Sequence, residues 1–183
     1  MEALDRALRL RGWPPRPLTS EPLAVDLLNT RWLAGDQTAD LLQDEALTVV
    51  WLAAHGLPGT SSSIVREHLQ DLRDALATVV ADRHDVAALN SVLDRGRLRL
   101  RVTPAGPAEQ IDVPDPAWEA TWSCARAYLE LIRQAPGRAR KCANPTCPLH
   151  FVDTSRAGTR RWCSMDLCGN RSKVRRHREA TRT

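Results

Sequence analysis

Two equally spaced pairs of cysteines constrain this chain more tightly than any other feature. Four residues lie between Cys142 and Cys147, four between Cys163 and Cys168, and fifteen between the pairs. Two short cysteine knuckles flanking a loop suit Zn²⁺, which prefers four soft ligands at the corners of a tetrahedron. A gap of four is the wide end of the usual spacing within a pair. A four-cysteine site is closed, leaving no coordination position for a substrate, so the spacing predicts one structural zinc held by Cys142, Cys147, Cys163 and Cys168. Asn144-Pro145 supplies the tight turn of the first knuckle. The segments His150–Asp153 and Thr159–Trp162 are expected to form the arms of a short hairpin around Ser155–Gly158, with Phe151 and Trp162 in apolar contact. So small an apolar set does not make a core, and folding of the segment should be coupled to the metal. His150 and His177 are alternative ligands, but four cysteines complete the coordination without them.

The charge distribution reinforces the division that the cysteines suggest. Residues 1–137 hold 14 Lys/Arg against 19 Asp/Glu, whereas residues 138–183 hold 12 against 3. Directly after Cys168, Gly169 permits an unusual dihedral and Asn170 is a helix cap. In the helix expected there, Arg171, Arg175 and Arg178 share one face by their i, i+4, i+7 spacing. Lys173 and Arg176 flank that face, and Val174 looks back towards the hairpin. Such a face grips phosphates, and arginine also reaches a guanine edge with two hydrogen bonds. Double-stranded DNA is the leading partner. RNA or an acidic protein surface would satisfy the same electrostatics, and a solvated helix that binds nothing specific is the plain alternative.

Upstream, the 137-residue remainder reads as a mainly helical body. No run approaches eighteen consecutive apolar residues, which argues against a membrane span. The first residues, MEALDRALRLRGW, lack a secretory apolar core. A cytoplasmic setting is therefore expected, where cysteines serve as ligands more than as disulfides. A short helix over 2–11 precedes the proline-rich segment Trp13–Pro17. Helices are expected over Pro22–Trp32, from Glu45 to a stop at Gly56 after Asp44, from Ser61–Ser63 to about Ala81, and from Asp85 to an end near Gly96. After Gly96 the period changes: Arg97–Val102 alternates strictly and pairs with Glu109–Val113. The resulting hairpin is expected to lay Leu98, Leu100, Val102, Ile111 and Val113 over the bundle, with its arginines in solvent. Asp115-Pro116 opens a last helix that ends before Pro136-Gly137. Cys124 in that helix has no partner for nucleophilic chemistry and reads as a small buried hydrophobe. Asp26, Asn29 and Thr30 sit uneasily in an apolar setting. They are candidates for an effector pocket, with helix capping or the tying down of a loop as the alternative.

Some of these residues carry a resemblance. Cys142-x₄-Cys147, together with Trp162-Cys-Ser-Met-Asp-Leu-Cys-Gly-Asn-Arg-Ser-Lys173 and the arginine-rich end, resembles the CGNR zinc-finger family. Leu23-Ala-Val-Asp-Leu-Leu-Asn-Thr30 resembles the opening of the domain that precedes this finger. The resemblance covers nearly the whole chain. It implies a bacterial, stress-induced transcriptional regulator that binds DNA, with zinc on the four cysteines and the CGNR motif at Cys168–Arg171.

The expected fold is thus mainly α with a short β-hairpin. A helical body, 1–137, would dimerise or sense a small-molecule effector. A treble-clef-like module of knuckle, hairpin and helix, 138–183, would bind zinc and DNA. A homodimer is attractive because one small finger makes few base contacts. The competing reading is a zinc-dependent adaptor for protein or RNA, without sequence-specific DNA readout. The sequence offers no catalytic dyad, open metal site or phosphate-binding glycine loop, so an enzyme is not expected.

Overall fold

The computed structural model describes residues 2–58, 62–170 and 172–173. In chain order its elements are α1 (Glu2–Leu10), α2 (Leu23–Leu28), β1 (Arg31–Ala34), β2 (Gln37–Asp40), α3 (Glu45–Ala54), α4 (Ser63–Ala81), α5 (Ala87–Leu93), β3 (Arg97–Thr103), β4 (Gly106–Asp112), α6 (Glu119–Gln134), β5 (Ala139–Lys141) and β6 (His150–Val152). Short 3₁₀ turns precede α3 and α6, and a wide π-type turn spans Met165–Gly169. Of the basic residues expected on the last helix, Lys173 is exposed in helical backbone. Arg171, Arg175, Arg176 and Arg178 lie outside the described residues.

Helix α4 forms the centre of the body and touches α2, α3, α5, α6 and β5. Its apolar stripe of Val65, Leu69, Leu72, Leu76 and Val79 is buried, as the 3.6-residue period requires. Its start is fixed by Ser62, whose hydroxyl accepts the Val65 N–H at 3.4 Å. Asp44 does the same for α3 by accepting from Leu47 at 2.9 Å, and Asp115 caps the turn before α6 by accepting from Ala117 at 3.0 Å. Such caps satisfy amide groups that have no partner inside the helix. Helix α1 lies against α3 and buries Leu4 and Leu8.

Three hairpins depart from expectation in instructive ways. The helix expected over Pro22–Trp32 stops at Leu28, and the chain enters the β1–β2 hairpin, with Arg31 opposite Asp40 and Ala34 opposite Gln37. Its end is marked by Thr30, whose hydroxyl donates to Leu27 O at 2.7 Å. Gly35 turns the hairpin with a φ of 68°, a conformation that costs a glycine little.

The β3–β4 pairing is as expected, from Arg97 opposite Asp112 to Thr103 opposite Gly106. The hairpin nevertheless does not cover the bundle: Leu100 is 79% and Val102 92% exposed. Arg97 and Arg99 both reach Asp112 at 2.7 Å, so the charged face is largely satisfied within the hairpin itself. The base is packed tightly, and farther out Arg126 of α6 reaches Glu109. A Cβ on Gly96 would lie 2.6 Å from Val113 Cγ2 and 2.8 Å from Trp122 Nε1, and the Trp122 indole donates to Leu93 O at 2.9 Å.

In the cysteine-rich segment, His150–Val152 does not pair with Thr159–Trp162. Its partner is Ala139–Lys141, with Lys141 opposite His150. The physical reason is the first knuckle. Bringing Cys142 and Cys147 to one point makes the flanking strands neighbours, and the Cys142 N–H donates to Leu149 O at 2.9 Å.

Candidate metal centre and its attachment to the body

The four expected ligands converge. Cys142, Cys147, Cys163 and Cys168 are buried, and their sulfurs all lie within 4.8 Å of one another. Cys147 Sγ and Cys163 Sγ are 3.8 Å apart. Sulfurs at the corners of a tetrahedron with Zn–S bonds of about 2.3 Å stand about 3.8 Å apart, so the donor set and its spacing fit the ion. Among the described residues, N–H groups point at these sulfurs: the Cys163 amide reaches Cys142 Sγ, and Asn144 Nδ2 reaches Cys168 Sγ, each at 3.5 Å. Donors of this kind favour thiolate, the form that binds metal. The Cys163 thiol beside Cys147 brings the latter down to about 6. The same contact pushes Cys163 up, and burial raises Cys168. Metal binding therefore has to displace protons from at least part of the set.

Several arginines that count towards the basic charge of this segment are struts. Arg160 donates to Trp162 O at 2.9 Å and to Cys163 O, and its guanidinium lies 4.4 Å from the Phe151 ring centroid. Arg138 donates to Ser155 O and Arg140 to Gly158 O, both at 2.8 Å. Buried Asp153 gathers the intervening loop, accepting from Ser155 Oγ at 2.6 Å and from the Ser155 and Arg160 amides at 3.0 Å. Sequence reasoning missed these struts, since nothing in arginine spacing separates a carbonyl-binding guanidinium from a free one. His150 is buried with its Nδ1 unpartnered, and burial lowers its pKa to about 4. It stands outside the sulfur cluster.

Asp26, Asn29 and Thr30 are buried, and their polar atoms meet partners within the chain. Asp26 accepts from Arg16 and from Trp51 Nε1, each at 2.7 Å, and lies 2.9 Å from His55 Nε2. Burial pushes its carboxyl up, but His55, Arg16 and Trp51 together outweigh it and hold Asp26 below the usual range. Thr30 Oγ1 accepts from Arg73 at 2.9 Å, while Arg73 also forms a two-pronged pair with Asp40 at 2.7 Å. Asn29 reaches across to the main chain of His150. Beside it, the Glu21 carboxylate accepts the Val152 N–H at 2.8 Å. Leu149 and Phe151 belong to the same continuous apolar core as Leu27, Leu69 and Trp51. Cys124 is fully buried in that core, where burial raises its thiol well above the ordinary value.

Fold and site thus define a helical body bearing a closed four-cysteine zinc module. The CGNR zinc finger matches residues 138–180, and ABATE, described as "Putative stress-induced transcription regulator", matches residues 21–135. The chain belongs to the ABATE family and carries a CGNR zinc finger that holds one structural zinc. No curated protein matches it.

Proposed function

We propose that the protein is a DNA-binding transcriptional regulator in which zinc fixes the starting point of a basic DNA-contacting segment. One observation carries this reading. The metal ligand Cys168 directly precedes Gly169 and the helical residues Asn170, Ser172 and Lys173, and five of the eight residues from Arg171 to Arg178 are Lys or Arg. A cationic segment anchored at a rigid point presents its charges in a fixed direction, which positions phosphates and allows base edges to be read. Arg171, Arg175 and Arg178 take the central role, with Lys173 and Arg176 beside them.

Two chains acting together supply the specificity that one finger lacks. The body is the part that receives a second copy or a small-molecule effector. The cytoplasm, where transcription regulators of this family would meet DNA, is the matching location.

Selection from a pool of random duplexes tests the reading, because loss of binding at high salt is common to specific and non-specific binding. The zinc-loaded chain should enrich a motif, and Arg171→Ala with Arg175→Ala should abolish the enrichment. A pool that stays unenriched overturns the regulator reading.

A further inference from the structure

From the loop gathered by Asp153 into the second cysteine pair runs a short segment, Thr159–Met165, whose two arginines point to different tasks. Arg160 is turned inward as a strut. Arg161 is exposed, with its guanidinium carbon 5.4 Å from the Trp162 ring centroid. Its backbone is fixed, since Arg161 O accepts the Ala143 N–H at 2.8 Å. Arg161 and Trp162, with Thr159, Arg160, Ser164 and Met165, line an open groove of about 470 Å³.

The floor is apolar. Met165 is 48% exposed. Trp162 and Met165 meet over Gly169, where an added Cβ would lie 2.5 Å from Met165 Sδ and 3.4 Å from Trp162 Cδ1. Gly169 is the residue before Asn170, so the groove opens at the root of the basic segment. One acid, Asp166, stands exposed next to Met165 and leaves the Arg161 side as the approach for an anion.

We propose that this groove is a second DNA contact, seating the sugar–phosphate backbone of one strand with Arg161 on a phosphate and the Trp162–Met165 floor against the deoxyribose. The pairing of cation and apolar floor matches the two chemical faces of that backbone. Arginine resting on an indole keeps its charge while its orientation is restrained, so little order is lost when a phosphate arrives. The groove would add a contact that specifies no base and fixes the finger's angle on the duplex. This inference rests on the DNA-binding reading above.

The test uses the full zinc-loaded chain and a mixed-sequence duplex of about 20 base pairs, with affinity measured across a salt series. Arg161→Ala should weaken binding and reduce the slope of log K against log salt by about one. Arg133→Ala, on helix α6 where Arg133 is paired with Glu130, should change neither. Trp162→Phe should remove the part of the DNA-induced tryptophan fluorescence change that arises in the groove. Should Arg161→Ala lose zinc, Met165→Glu decides, since it places a negative charge in an exposed position and should weaken binding with the metal retained. If wild type binds duplex and these variants match it in affinity, slope and fluorescence, the groove proposal falls and the DNA reading stands. If wild type does not bind duplex at all, the DNA reading falls and takes the groove with it. Tighter binding to single-stranded RNA of the same sequence would assign the groove to RNA and overturn the proposal.

Discussion

The side-chain amide of Asn29 pairs with the main chain of His150 at both ends: Nδ2 donates to the carbonyl at 2.9 Å, and Oδ1 accepts the N–H at 2.8 Å. An amide used in this way imitates one residue of a neighbouring strand. It completes the edge of β6 that β5 leaves open. The two residues are 121 positions apart in sequence, so this bond joins the body to the finger.

Replacing Asn29 by alanine should therefore destabilise the whole chain. It leaves a buried N–H and a buried C=O without partners, each costing about 1–3 kcal/mol. Urea unfolding should show a lower midpoint, and Asn29→Gln should not restore it, because the extra methylene displaces both groups. A midpoint equal to wild type would show that the junction contributes nothing.

Metal removal should reach beyond the finger. Cys163→Ser should lower zinc from about one ion per chain, and either that change or a strong chelator should lower the melting temperature of the entire chain, because Leu149 and Phe151 are part of the body's core. Calorimetry would contradict this if it showed an unshifted main transition after zinc loss. All five cysteines, Cys124 included, are buried, and in the zinc-loaded protein they should react slowly with thiol reagents.

Acid should reveal the buried Arg16–Asp26 pair. The folded pKa of Asp26 is held below its ordinary value of 3.8, so the stability it supplies is fully present above that value. It is lost as pH falls through the lower, folded value. Asp26→Asn leaves the Arg16 guanidinium buried without its carboxylate and should cost about 3–5 kcal/mol near neutral pH. The gap between variant and wild type should narrow below pH 3.8. A gap constant with pH would remove the carboxylate from the explanation.

The outer half of the β3–β4 hairpin should be nearly silent in stability. Leu100→Ser and Val102→Ser act on exposed side chains and should shift stability by less than about 0.5 kcal/mol. Leu72→Ala in the buried stripe of α4 should cost about 2–5 kcal/mol. Chemical denaturation of the three variants side by side checks the contrast, and comparable losses in all three would mean that the hairpin is packed in solution.

What the sequence shows plainly is whatever repeats or pairs at short range. The leucine and valine spacing of α4 identifies its buried face, and the two equal cysteine gaps identify the ligands. Asp44 and Asp115 declare themselves as caps, because a cap acts on the next few residues. The partners of Asp26, Asn29 and Thr30 stay hidden for the opposite reason. Arg16 lies in a proline-rich connection, Arg73 in the middle of a long helix and His150 in the finger, and no local pattern links them. The β5–β6 pairing was within reach: two cysteines on one metal require the strands beside them to be neighbours. Exposure of Leu100 and Val102 was not, since alternation identifies which residues share a face but not whether anything covers it.

Strand β6 is buried along its whole length, and part of what covers it comes from Glu21, Asn29 and the helices of the body. A finger so seated is a poor candidate for exchange between unrelated proteins. Moved alone, it would carry an uncovered Phe151 and a strand edge with no amide to meet it. Inheritance should therefore have kept finger and body together, and an engineer who wishes to retarget the finger would do better to vary the surface residues in place than to graft it elsewhere.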